Sequence, residues 1–301
     1  MKDLKEYIKE GLFDDLDKIE KVGGMESNVK QLKKEIIDWI CTHYCVDRDV
    51  PSKPIKKRSL IVNMETTPPT VDYKDSGLML KKAESSLCNN GMFQWGELDW
   101  LDCSSTLITS LEGAPKKTRT LDCSWCPELT SLKGAPKEVI KDFNCGHCSS
   151  LESLKGAPKK VGGNFDCGCC KSLKSLKGGP EVVSGDYHCY QCDLKDLIGA
   201  PKEAGSFDCS YCPDLKSLKG GPKKLTDKHG FANFNCQGCT SLTSLEGAPE
   251  KVDRFRCVHC SNLKELGNTF KDVRIEIFCK GVPNAKVVFK DFDPKFINDF
   301  I

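Results

Sequence analysis

Apolar material is scarce in this chain: of 301 residues, 8% are aromatic and 39% apolar, thin for two large compact cores. No apolar run is long enough for a signal peptide or a membrane span, and Met1 to Glu20 is charged and amphipathic. The sequence therefore predicts a cytoplasmic protein without membrane contact. An excess of one charge is missing as well. Forty-five basic and 43 acidic residues leave a formal net charge of +2, so no bulk field calls for nucleic acid. His43, His147, His188, His229 and His259 form no His-x-x-x-His pair and no nucleophile triad, and the glycine-rich turns lack the Gly-Lys-(Ser/Thr) ending of a phosphate loop. No catalytic residue, no bound metal and no cofactor is expected.

Cysteine, by contrast, occurs 20 times and at a regular spacing. Cys103, Cys123, Cys145, Cys167, Cys189, Cys209, Cys236 and Cys257 are separated by 20, 22, 22, 22, 20, 27 and 21 residues, the period of a solenoid. Most units read Φ-x-Cys-x-x-Cys-x-x-Leu-x-Ser-Leu-x-Gly-(Ala/Gly)-Pro, with Leu101, Leu121, Phe143, Phe165, Tyr187, Phe207, Phe234 or Phe255 at Φ. Because Φ and the first cysteine stand two apart, a short strand turns both into the core and the residue between them outward. Each rung buries itself only against its neighbours, which suits a chain short of apolar residues.

This phrase resembles the leucine-rich repeat in its cysteine-bearing form, with Cys126, Cys148, Cys170, Cys192, Cys212, Cys239 and Cys260 where that family runs its asparagine or cysteine ladder. The likeness covers a little over half of the chain and implies a right-handed solenoid, mainly β and poor in helix, with one parallel sheet. It departs from the family at the first core position, which is cysteine rather than leucine. Apolar residues three before Φ occur at Ile140, Phe231 and Val252, but Gly162 and Ser184 break the pattern. No unit has room for a helix on the convex side, so the return side is expected to be loop, turned by Gly-Ala-Pro. The Gly-Ala-Pro-Lys type of array is similar to arrays in large phage genomes. Met1 to Gly11 resembles the capsid-targeting segments of tailed-phage internal proteins, with Ile8-Lys9-Glu10 as a processing site and cleavage expected between Glu10 and Gly11.

Four regions are expected. Residues 1–50 form an N-terminal helical segment, with helical spacing over 2–21 and again from Met25 to Tyr44, where Val29, Leu32, Ile36, Ile37 and Ile40 gather on one face. Residues 51–97 hold a basic linker and short strands that cap the first rung. The solenoid occupies 98–270, and 271–301 close its far end, with a strand from Val273 to Cys279 and another at Val287 to Phe289.

Two C-x-x-C pairs on stacked rungs could supply four sulfurs to zinc, but both cysteines stand where the repeat packs its core, so reduced thiols in a packing and hydrogen-bond ladder are the reading adopted. Residues outside the fixed frame vary between units: Asp122, Asn144, Asp166, His188, Asp208 and Arg256 between Φ and cysteine, and Trp125, His147, Gln191, Tyr211 and His259 before the second cysteine. Variation over an unvarying frame predicts a concave face that recognises a protein partner, with the aromatics as anchors. The chain is expected to act as a monomer. Lys133, Lys155, Lys177 and Lys219 repeat one register, diluted by Glu112 and Glu246, and read as a device for solubility or edge protection rather than for nucleic-acid binding, so no nucleic-acid partner is expected. A zinc-binding, thiol-rich protein and a packaged structural component of a virion stay open as alternatives.

Overall fold

The structure, a computed structural model, describes residues 23–45, 60–66, 68–73, 77–80, 86–88, 90–96, 98–226, 231–263, 272–279 and 297–298. The expected helix over 2–21, the processing site at Glu10 and Gly11, and the expected strand at 287–289 lie outside these residues.

The chain is a β-solenoid of about eight turns. One 12-stranded sheet runs along it, from Tyr44–Cys45 and Leu78–Leu80 through the rung strands Trp100–Asp102, Thr120–Asp122, Phe143–Asn144, Phe165–Asp166, Tyr187–His188, Phe207–Asp208, Asn233–Asn235 and Lys251–Arg256, to Asp272–Phe278 and Ile297–Asn298. Every pair is parallel except the first, where Tyr44–Cys45 runs against Leu78–Leu80. Φ pairs with Φ throughout, so Phe143, Phe165, Tyr187, Phe207, Phe234 and Phe255 form one buried column of stacked rings with centroids 5.1 to 5.6 Å apart. A slip of one residue would turn every ring to solvent, and this fixes the register. Tyr187 is the one hydroxylated member.

The return side, expected as loop, carries a second parallel sheet of two-residue strands: Glu138–Val139, Lys160–Val161, Val182–Val183, Glu203–Ala204 and Lys224–Leu225. Its inward residues Val139, Val161 and Val183 are buried and stand four before Φ, whereas Ile140, three before, is half exposed. Units of 20 or 21 residues use the third position instead, at Ala204 and Val252. The difference is one residue in the corner leading to Φ. There Asp142, Asn164 and Asp186 build a further ladder: each side chain accepts the backbone N–H of the residue one rung on, Asn164, Asp186 and Ser206, at 2.7 to 2.9 Å. Turns of this side-chain type satisfy backbone donors that no strand partner reaches.

At the start, the helix Gly23–His43 buries Leu32, Ile36 and Ile40 in the same core as the first rungs. Trp39, Tyr44, Phe93 and Trp95 meet edge to face, and Tyr44 Oη and Trp95 Nε1 both donate to the Leu87 carbonyl. Leu60–Asn63, Thr70–Tyr73 and Gln94–Trp95 add a three-stranded sheet, where the capping strands were expected. At the far end Cys279 is buried in register with the rung cysteines.

Candidate functional site

Each rung leaves its sheet strand through a tight turn held by two cysteines. The first donates forward: Cys103, Cys123, Cys145 and Cys167 place Sγ 3.2 to 3.3 Å from the carbonyls of Asp122, Asn144, Asp166 and His188 on the next rung. The second donates backward, from Cys126, Cys148, Cys170, Cys192, Cys212, Cys239 and Cys260 to the carbonyl of the first cysteine one rung before, at 3.2 to 3.4 Å. Two S–H ladders thus run in opposite directions through the core. A thiol fits because it fills an apolar site and still offers a weak donor. Burial pushes the first-position thiols, Cys103 to Cys257, well above the ordinary range and raises Cys170 to about 12. They are held protonated. Among the described residues no group of three or more His, Cys, Asp or Glu side chains is arranged to hold a metal ion.

The residue between Φ and cysteine has a local task. Oδ1 of Asp122, Asn144, Asp166 and Asp208 accepts the backbone N–H two residues on, at Ser124, Gly146, Gly168 and Ser210, over 2.8 to 3.0 Å. Asp102 and Asn235 do the same. These residues are caps of the turn, and Asp122 is buried. His188 and Arg256 interrupt the series. His188 Nδ1 lies 3.9 Å from Asp166 Oδ2, which raises the imidazole above its usual range, and both His188 and Arg256 line a shallow 290 Å³ depression with Asp186, Asp208, Asn233 and Arg254.

The residue before the second cysteine is different in kind. Ser105, Trp125, His147, Cys169, Gln191, Tyr211 and His259 all have φ between +53° and +59°, the left-handed region that disfavours any side chain but is open to glycine. The chain uses glycine here at Gly238, where the Tyr211 ring lies 2.5 Å from a would-be Cβ. The row is continuous, since Trp125, His147, Cys169, Gln191, Tyr211 and Gly238 each donate their N–H to the turn of the next rung. It sits on the turn that follows the sheet, one corner away from the strand face. Trp125 stacks on His147 at 3.8 Å between ring centroids and 5° between planes; Cys169 Sγ lies 3.0 Å from Gln191 Oε1, and Gln237 Nε2 donates to Tyr211 Oη. Trp125 remains 58% exposed and Tyr211 49%, so the row is an open surface.

Sequence reading placed both columns on one face. The structure separates them into a column of turn caps and a row of exposed side chains in left-handed turns. The left-handed geometry was hidden because glycine marks it in one unit alone among those described, at Gly238. Comparison with family models, with curated proteins and with solved structures returns no match.

Proposed function

We propose that this chain is a non-catalytic interaction module that recognises a protein partner through the left-handed turn row, with Trp125, His147, Tyr211 and His259 as its principal contacts. The observation that carries the reading is energetic. A non-glycine residue in this backbone region costs about 1–2 kcal/mol, yet the described turns retain large side chains there and leave them exposed. Folding alone favours glycine at such places, and contact with something outside the rung is what the side chains add. The caps Asp122, Asn144, Asp166 and Asp208, with His188 and Arg256, border the row and supply polar contacts beside the anchors, as Gln191 does from within it.

The cysteine-bearing leucine-rich-repeat affinity, a phage source, the cytoplasm of the host cell or a virion as location, and monomeric action belong to the same proposal and rest on the sequence likeness. Trp125→Ala with Tyr211→Ala tests the site. The pair should cost under about 1 kcal/mol of stability, as exposed substitutions do, and weaken a partner captured from source cells by about 2 kcal/mol or more. Unchanged affinity at unchanged stability removes the row from the interface.

A further inference from the structure

Most Gly-x-Pro corners, which the Leu-x-Ser-Leu run separates from the left-handed turns, carry lysines in two registers, interrupted by Glu112, Ile198 and Glu246 in the first and by Glu181 and Glu250 in the second. One stands before the glycine, at Lys133, Lys155, Lys177 and Lys219; the other follows the proline, at Lys116, Lys137, Lys159, Lys202 and Lys223. All are exposed. Backbone bonds place them on adjacent rungs: Lys159 N donates to Lys137 O at 2.7 Å and Lys223 N to Lys202 O at 2.9 Å, while a Cβ at Gly178 would lie 2.9 Å from Lys155 Cα. Like charges therefore recur at one rung spacing, about 4.8 Å, along the runs Lys133, Lys155, Lys177 and Lys116, Lys137, Lys159 and the pair Lys202, Lys223.

On the same surface, carboxylates neutralise neighbouring lysines where the sequence provides them. Lys133 meets Glu112 at 2.7 Å, Lys159 meets Glu181 at 2.8 Å and Lys224 meets Glu203 at 3.7 Å. Lys137, Lys155, Lys177, Lys219 and Lys223 have no ion pair among the described residues. The near-zero net charge of the chain hides this, because the turn-capping aspartates lie on the sheet side, while the corner's glutamates leave these lysines unpaired. Stacked unpaired ammonium groups repel one another, and a linear polyanion laid along the corner relieves that repulsion and releases its own counterions.

We infer that the Gly-x-Pro edge is a docking surface for the phosphodiester backbone of a nucleic acid duplex, bound without sequence readout. A narrow row favours a linear polymer over a lipid surface. The exposed aromatics of the described residues, Trp125, Tyr211 and Phe231, lie elsewhere, so this edge has no platform on which unpaired bases could stack, and this favours a duplex over a single strand. The surface is independent of the turn row, and either can fail alone.

Fluorescence anisotropy of a labelled 20-base-pair duplex tests it, comparing the parent chain with Lys155→Glu/Lys177→Glu and with Lys33→Glu/Lys34→Glu, which changes total charge equally on the exposed face of the N-terminal helix. Circular dichroism and thermal unfolding confirm that both variants keep the fold. The edge variant should lose about tenfold or more in affinity and the helix variant less than about threefold. Four phosphate contacts should make parental affinity fall about 100-fold between about 50 and 200 mM salt. Equal losses in the two variants, no binding at the lower salt, a fall under about fivefold, or tighter binding to vesicles of anionic lipid than to the duplex would each overturn the proposal.

Discussion

A buried carbonyl without a donor is expensive, and in these rungs the donor is a thiol. The Cys123 carbonyl accepts from Cys148 Sγ at 3.2 Å inside a fully buried layer. Cys148→Ala should therefore destabilise the fold by about 1–3 kcal/mol, from the lost bond and the small cavity together; urea unfolding of the reduced protein measures it, and a cost near zero would show the ladder to be incidental. Cys169 stands at the left-handed turn, partly exposed, while the rung cysteines around it are buried. Among rung thiols it should be the first alkylated at neutral pH, as peptide mapping after a short pulse of iodoacetamide would reveal. At this scale the sequence was legible wherever a residue's role follows from periodicity. Φ, both cysteines and both leucines recur in fixed register and were assigned correctly to the core. Roles set by a local dihedral angle or by one side-chain bond were not legible, since neither leaves a period.

Between strands, the turn caps and the return sheet decide where each rung bends. Asp208→Ala removes the acceptor for the Ser210 N–H and the carboxylate that Asn235 Nδ2 reaches at 3.2 Å, and should cost about 0.5–2 kcal/mol, as losing a side-chain cap does elsewhere. Asp208→Asn should keep most of that stability, which separates capping from charge. Six of the eight residues at this position are Asp or Asn, yet His188 and Arg256 among them made the column look like free variation. The return strands were missed for a related reason. They are two residues long, and the inward valine stands four before Φ in 22-residue units but three before in shorter ones, so no single offset reveals it.

For the molecule as a whole, stability resides in repeated contacts between neighbouring rungs, and every rung contributes a buried first-position thiol. A thiol whose folded pKa is raised stabilises the fold fully below the unfolded value, near 8.5. The contribution drains away as pH rises from there toward the folded value. Each pH unit in that window removes about 1.4 kcal/mol per thiol, and the eight first-position cysteines share the shift. Together they lose on the order of 10 kcal/mol over one unit, as much as a whole domain commonly has. The solenoid should consequently be unusually sensitive to base, while its first-position thiols add no pH dependence between about 6 and 8.

The most direct test of the reduced, protonated thiol ladder is an alkaline titration under anaerobic conditions, following thiolate absorbance near 240 nm together with the circular dichroism of the sheet. Apart from Cys126 and Cys260, which hydrogen bonds with Cys148 and Cys236 lower, the two signals should stay flat to about pH 8.5 and then change in one shared transition between about pH 9 and 10. Thiolate absorbance worth more than two cysteines rising below about pH 8 while the sheet remains intact would contradict the ladder, because first-position thiols would then be ionised, metal-bound or exposed in the folded chain.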